Sequence, residues 1–359
     1  MKTWITALGL LLACVAGLAS AQEAAGTLKN LRGQASLERD GVKRALRGGE
    51  TLLPKDRIIT SGDGYATVGF VDQSSLAIGP NSDVDLSKYK FNPVTHQGEQ
   101  QVRLRAGSLA SISGKIAKAS PESVQFNAGS VTLGVRGTQF VAEVQSGASQ
   151  EASSLRWNAD QQMLRNDQGL CWRLGTGEGG CPVDRYVLLP DRDGKVGAIV
   201  VNTQGRTFAV KEAYSGVEIE KGTARNASFS ENDIRGRYQD LLTSVPPGPR
   251  TFVLYFDSAS SGAVSSESLN VVAQINDALR HWPVLVNVDV VGHTDTEGRA
   301  DKNEALSLQR AKAVSRMLDS SQLSAERLQV SGRGERQLLV PTPDEKAEPR
   351  NRRVEVTLH

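Results

Sequence analysis

Three side chains near the C-terminal end of the sequence have the types and spacing to meet a ligand of mixed charge: the acid Asp295, the amide Asn303 and the cation Arg310. Asn303 and Arg310 are seven positions apart, two helical turns, so on a helix they share a face. All three lie in the stretch GHTDTEGRADKNEALSLQRAKAV, from Gly292 to Val314. It follows an apolar alternating run, Val284 to Val291, that reads as a buried strand. A polar, glycine-containing turn then leads into a helix. Asp295 thus falls at the mouth of the strand, just ahead of a helix N-terminus whose N–H groups and dipole favour anions. One acid, one cation and a helix N-terminus suit a zwitterion, a molecule carrying both a carboxylate and an ammonium.

The elements that must position this stretch follow the proline-rich run Pro246-Pro-Gly-Pro249, which marks a domain boundary. Thr251 to Phe256 reads as a strand. Ser265 to His281 reads as a helix with Leu269, Val272, Ile275 and Leu279 at helical spacing, and Ala300 to Leu318 as a second helix. Leu328–Val330 and Val354–Leu358 supply two more strands, giving an α/β sandwich with helices on one face. Right-handed crossovers place the C-terminal ends of the strands 251–256 and 284–291 on one edge, so Asp257 and Asp295 are expected on the rim of one cleft.

At 359 residues the chain is too long for one ordinary core. A net charge of +2 and the absence of a polybasic arm give no reason to expect a nucleic-acid partner. Lys2, the apolar run Trp4 to Leu18 and Ala19-Ser-Ala21 read as a secretory signal cleaved after Ala21. Leu11-Leu-Ala-Cys14 resembles a lipoprotein cleavage box, but Leu12 is bulky where small residues are usual, so a lipid anchor at Cys14 is the less favoured reading. The remainder is expected to be exported and soluble. Cys171 and Cys181 are then an even pair in an exported chain, most simply a disulfide.

Between Gly26 and Val144, short alternating runs are punctuated by Gly, Asp and Pro, and Asp40-Gly41 between two such runs signals a tight hairpin. An all-β domain is expected. The wording Gly49 to Ser61, the run Ala66 to Ile78, Leu104 to Leu109 and Thr132 to Phe140 with its Gly134-Val-Arg-Gly-Thr138 core resemble the FecR-type periplasmic domain. In the founding FecR proteins this domain follows a membrane helix and relays iron-uptake signals to a sigma factor. Here a signal sequence stands in that place, so the resemblance implies an exported β interaction module, with another envelope protein as its partner. Arg136 is expected to be a buried arginine paired with carbonyls or a carboxylate rather than an anion ligand. Gly175-Thr-Gly-Glu-Gly-Gly180 formally matches G-x-G-x-x-G, but lacks the strand-and-helix context of a dinucleotide site. Asp191 and Asp193 lack the further ligands of a calcium loop and read as a hairpin turn. Ser230 to Leu242 reads as an amphipathic helix with Ser230 as N-cap.

Phe256-Asp257, Gly292-His-Thr-Asp295, Asn303, Leu306-Ser307, Arg310-Ala311, Gly332-x-Gly-Glu335 and Asn351-Arg-Arg-Val-Glu355 resemble, in order and over the whole of residues 250–359, the OmpA-like C-terminal peptidoglycan-binding domain. The resemblance implies that Asp295 and Arg310 hold the diaminopimelate side chain of the wall's stem peptide, with Thr294, Asn303 and Asp257 lining the pocket. Asp295 would meet the ammonium and Arg310 the carboxylate, to which a guanidinium gives directional bonds that lysine would not. The Asn351-Arg-Arg353 cluster suits an anionic polymer, though a solvated basic terminus explains it nearly as well.

The expected chain is therefore multidomain. It comprises a signal peptide (1–21), an all-β FecR-like domain (26–144), a β-rich spacer carrying the Cys171/Cys181 loop and the proline linker (145–249), and an OmpA-like α/β sandwich (250–359). The expected role is noncovalent binding of peptidoglycan in the periplasm of a Gram-negative bacterium, at the wall or outer membrane, anchoring the FecR-like module. The alternative is FecR-type signalling with wall binding secondary. Four scattered histidines, no G-x-S-x-G and no free-cysteine candidate argue against an enzyme, a metal centre or a cofactor.

Overall fold

The computed structural model describes residues 23–145, 156–158, 163–165, 171–173, 183–220, 222–256, 264–319, 321 and 323–359. The expected signal segment, Cys14, the Cys171–Cys181 disulfide, the 175–180 glycine loop and the side chain of Asp257 lie outside the described residues.

The first unit is all β. Its strands are β1 (Gly26–Arg32), β2 (Ala35–Arg39), β3 (Val42–Ala45), β4 (Thr51–Leu52), β5 (Arg57–Thr60), β6 (Tyr65–Phe70), β7 (Ser75–Ile78), β8 (Asp83–Phe91) and β9 (Gly98–Ile112). The short helix α1 (Lys115–Ala119) follows, then β10 (Val124–Ala128), β11 (Val131–Arg136) and β12 (Gln139–Val144). A small antiparallel sheet, β13 (Arg156–Asn158), β14 (Met163–Arg165) and β15 (Cys171–Arg173), stands between these and β16 (Val183–Leu189), β17 (Ala198–Thr203), β18 (Arg206–Val210), β19 (Ser215–Glu220) and β20 (Thr223–Ser228). Helix α2 (Glu231–Ser244) completes the unit.

Two sheets face each other. One runs β4-β1-β6-β7-β9-β12-β16-β19-β20. The other runs β3-β2-β5-β8-β9-β10-β11-β17-β18, with β9 and β10 parallel. The long strand β9 belongs to both, and changes sheets where Gly107 takes φ +87°; a Cβ there would meet Ser82 Oγ at 2.2 Å. The core between the sheets is drawn from the whole unit, from Leu28 and Phe70 to Phe126, Phe140, Tyr186, Ile199 and Val217.

Residues 183–228 are thus not a spacer beside the β domain. β12 pairs with β16 from Gln139↔Leu189 to Glu143↔Arg185, and β11 pairs with β17, so the expected boundary at 144/145 cuts through both sheets. The outer face of the first sheet is covered by α2, whose Ile234, Tyr238 and Leu241 pack on Ala77, Ala110, Val141 and Val187. α2 begins in a capping box: Ser230 Oγ accepts from Asp233 N, and the Asp233 carboxylate accepts from Ser230 N.

Local expectations fared better. Asp40 and Gly41, both at positive φ, join β2 to β3 with Arg39 opposite Val42. Asp191 Oδ1 accepts the N–H groups of Asp193 and Lys195, as in a turn. The strands on either side of that turn join different sheets, so it is a sheet-to-sheet corner rather than a hairpin. Arg136 is exposed at the end of β11, not buried. Beside it, Thr138 is buried, donating Oγ1 to Leu189 O at 3.1 Å and accepting at its own carbonyl from Ser113 Oγ, so this motif serves to turn the chain from one sheet to the other.

The second unit contains β21 (Arg250–Tyr255), α3 (Ser266–Arg280), β22 (Val288–Gly292), α4 (Ala300–Ser315), β23 (Leu328–Gly332) and β24 (Arg353–Leu358). Its sheet order is β21-β24-β22-β23, with β22 and β23 parallel and β24 antiparallel to both neighbours. β21 and β22 therefore point the same way, and their C-terminal ends share an edge, with the start of β24 between them. α3 and α4 bury Val272, Ile275, Leu279, Ala311 and Val314 against the sheet. β22 is shorter than the 284–291 run that the alternation suggests, because residues before it leave the sheet: Leu285 N donates to Lys29 O in the β unit.

Candidate functional site

The buried side of α4 is polar rather than apolar: Asn303, Ser307 and Arg310 lie inward beside Ala311 and Val314. Two glycines in the sheet allow the helix to come this close. A Cβ on Gly292 would meet Ser307 O at 1.9 Å, and one on Gly332 would meet Ser307 Oγ at 2.4 Å. A helix pressed onto bare backbone carries its long polar side chains into the sheet edge, where the residues after β22 receive them.

Asp295 is 3% exposed. Its Oδ2 accepts from Arg352 Nη1 at 2.9 Å and from Glu348 N at 3.2 Å. Arg310 is fully buried, with its guanidinium 5.0 Å from the centroid of Phe256 and Nη1 donating to His293 O at 3.5 Å. Burial pushes the Arg310 guanidinium below its usual range, and the charge of Asp295 works in the opposite direction, which couples the two groups electrostatically. Thr294 is buried, donates its N–H to Gly334 O, and its Oγ1 has no hydrogen-bond partner among the described residues. Four of the five expected residues thus sit on one sheet edge; the fifth, Asp257, is outside the described residues.

Asn303 has a different task from the one expected of a pocket wall. Its Nδ2 donates to Glu335 Oε2 at 2.7 Å and to Glu297 O at 3.2 Å, so it holds the turn after β22 against the loop after β23. The helix N-terminus is also already engaged: Gly298 N donates to Glu345 Oε2 at 3.1 Å, and Arg299 at the N-cap makes no side-chain cap. The anion-favouring position is thus taken by a carboxylate of the chain itself.

Sequence reasoning left Arg352 and Arg353 out of the pocket, reading their cluster as suited to an anionic polymer or as a solvated basic terminus. Arg352 is the direct partner of Asp295, and Arg353 is 4% exposed, pairing with Glu355 at 2.7 Å. The available signal was β24 itself: an antiparallel strand inserted between β21 and β22 must bring its first residues to the rim where those strands end. His293 is 1% exposed, and burial together with Arg353 lowers its imidazole to about 4, so it is neutral near neutral pH. Neither ring nitrogen has a hydrogen-bond partner among the described residues; Glu355 Oε1 stands 3.9 Å from Nε2. Among the described residues no group of three His, Cys, Asp or Glu side chains is placed to hold a metal, and no helix is long and apolar enough to cross a membrane.

Residues 255–352 match the OmpA family and residues 56–155 match FecR protein, so the chain carries one segment of each kind. An "Outer membrane protein" of Gluconacetobacter diazotrophicus is 34% identical over 121 residues, 32% of this chain and 32% of its own length. "Probable lipoprotein YiaD" of Escherichia coli is 33% identical over 103 residues, 29% of this chain and 46% of its own. The match thus spans a third to a half of these relatives. Among solved structures, the peptidoglycan-associated lipoprotein from Burkholderia pseudomallei is 25% identical over 30% of this chain and 89% of its own, with a TM-score of 0.27. The C-terminal domain of Helicobacter pylori MotB is 24% identical over 30% of this chain and 84% of its own, also with a TM-score of 0.27.

Proposed function

We propose that the α/β unit binds peptidoglycan noncovalently in the cell envelope, gripping the diaminopimelate of the stem peptide, and thereby anchors the β unit to the wall. The observation that carries the reading is a fully buried guanidinium, Arg310, coupled to a buried carboxylate, Asp295, beside a Thr294 hydroxyl without a partner among the described residues. A ligand bearing a carboxylate and an ammonium would complement a cation and an acid placed side by side in this way. The match of residues 255–352 to the OmpA family supports it. Arg352 holds Asp295 oriented before a ligand arrives, which lowers the ordering cost of binding.

This arrangement is built for binding rather than turnover. Asp295 is held by Arg352, and neither ring nitrogen of the neutral His293 has a hydrogen-bond partner among the described residues. The test is cosedimentation of the full chain with purified sacculi. Asp295→Asn and Arg310→Lys keep shape and bulk and are each expected to lower affinity at least about tenfold, equivalent to roughly 1.4 kcal/mol. Retained binding by both sinks the proposal. A signalling role is the second reading, favoured by the FecR match at 56–155; an altered sigma-factor response on removing the whole β unit, with sacculus binding intact, would establish it.

A further inference from the structure

The hairpin joining β8 to β9 reaches the α/β unit. Asn92 Oδ1 accepts from the backbone N–H groups of Val94 at 2.8 Å and Thr95 at 3.1 Å, and Asn92 N donates to Gln97 O at 2.8 Å, so the turn is closed on itself. It presents two carbonyls outward. Arg333 Nη2 donates to Pro93 O at 3.3 Å, and Gln337 Nε2 donates to Val94 O at 2.9 Å. Beside the hairpin the units enclose a cavity of ≈ 520 Å³ lined by His96, Lys115, Asp289, Arg333, Gln337 and Glu355, across which Gln73 Nε2 donates to Asp289 Oδ2 at 3.2 Å. The hairpin bonds are therefore discrete ties rather than part of a packed seam.

Those ties end on the loop that backs the candidate site. In that loop Arg333 N donates to Gly292 O at 2.9 Å, Gly334 O accepts from Thr294 N at 3.0 Å, and Glu335 accepts from Asn303. A second row starts at Gln337: its carbonyl accepts from Arg353 Nη2 at 3.3 Å, Arg353 O accepts from His293 N at 2.9 Å, and His293 O accepts from Arg310 Nη1. Both rows run from the hairpin tip to the groups that face Asp295.

Building on the wall-binding reading above, we infer that the Asn92–Gln97 hairpin of the β unit is a working part of the wall site: it holds loop 333–337 in register, and occupancy of the site is felt at the hairpin. Gln337 is the positioning residue. An irregular loop tied at two points has less freedom to lose when a ligand orders it. A free-energy coupling of this kind is reciprocal, so ligand must stiffen the hairpin as much as the hairpin favours ligand.

The test uses the full chain, purified sacculi and a soluble diaminopimelate-containing muropeptide. Gln337→Glu keeps the size and removes the donor; Gln337→Lys keeps a donor; Asn92→Ala loosens the turn at a distance from the site. Gln337→Glu and Asn92→Ala are expected to weaken binding about three- to tenfold, with Gln337→Lys close to the unaltered chain. The muropeptide is expected to slow amide exchange at residues 92–97 in the unaltered chain and not in Gln337→Glu. Undiminished binding by Gln337→Glu, with hairpin exchange indifferent to muropeptide, overturns the coupling alone. If the unaltered chain fails to bind sacculi at all, it is the wall-binding reading that falls.

Discussion

Asp56 and Asp295 are both buried carboxylates with an arginine partner, and their surroundings differ. Asp56 lies in the β unit, 1% exposed, and takes two bonds from Arg39 at 2.7 Å and a third from Leu53 N at 2.8 Å. The pair is complete. Around Asp295 there are three buried or nearly buried arginines, Arg310, Arg352 and Arg353, with the uncharged donors Thr294 and His293 beside them. Arg353 has its own partner in Glu355, yet its Nη1 and Arg352 Nε remain without hydrogen-bond partners among the described residues. The β unit's comparable network, Arg185 and Arg237 around Glu143 and Glu218, is matched charge for charge. A complete pair such as Asp56 and Arg39 serves the fold; Thr294 Oγ1, Arg352 Nε and Arg353 Nη1 are donors that the ligand proposed above would meet.

That contrast can be broken in graded ways. The largest effect concerns the integrity of the β unit. A fragment of residues 23–144, lacking β16–β20 and α2, is expected to show no cooperative unfolding by circular dichroism, whereas residues 23–245 unfold cooperatively; two equivalent transitions would restore the expected boundary at 144/145. Next, Asp56→Ala leaves Arg39 without its carboxylate and is expected to cost roughly 2–4 kcal/mol in urea unfolding, with sacculus binding by the folded fraction unchanged. Lost binding there would show that the two pairs are not separable.

Lys29 is the β unit's exception, a 3% exposed cation whose Nζ donates to the backbone carbonyl of His359 in the other unit. Burial pushes its pKa down to about 7, with Arg327 adding to this and Asp289 opposing it. A base with a lowered folded-state pKa is disfavoured while both states are protonated, and the cost lifts as pH rises toward the unfolded value. Relative to Lys29→Met, the unaltered chain is expected to gain roughly 1–2 kcal/mol from about pH 7 to about pH 9; a constant difference across that window contradicts the assignment. The smallest effect is Thr294→Val. Removing an unpartnered hydroxyl without changing shape is expected to shift stability by no more than about 1 kcal/mol, toward greater stability, while weakening sacculus binding. A clear loss of stability would mean that the hydroxyl is already satisfied inside the protein.

How much of this was legible depends on how far apart the interacting residues lie. The Asp40-Gly41 hairpin, the Ser230 cap and helices α3 and α4 rest on contacts a few positions apart, and composition and periodicity reported them with boundaries shifted by one to three residues. The pairing of β11 with β17 and of β12 with β16 joins strands dozens of residues apart, and alternation within a strand does not name its neighbour. That is why residues 183–228 looked like a spacer.

The same division holds for the site. Sequence by itself determined the candidate residues and their elements: an acid at the end of a strand, an amide and an arginine two turns apart on a helix, in a segment that matches the OmpA family. Tertiary structure alone decided their electrostatic state. Inserting β24 between β21 and β22 delivered Arg352 to Asp295 across 57 positions, and close packing of α4 on Gly292 and Gly332 drove Arg310 out of solvent. Spacing assigns a side chain to a face; only the assembled layers determine how much water that face retains, and so how strongly its charges interact.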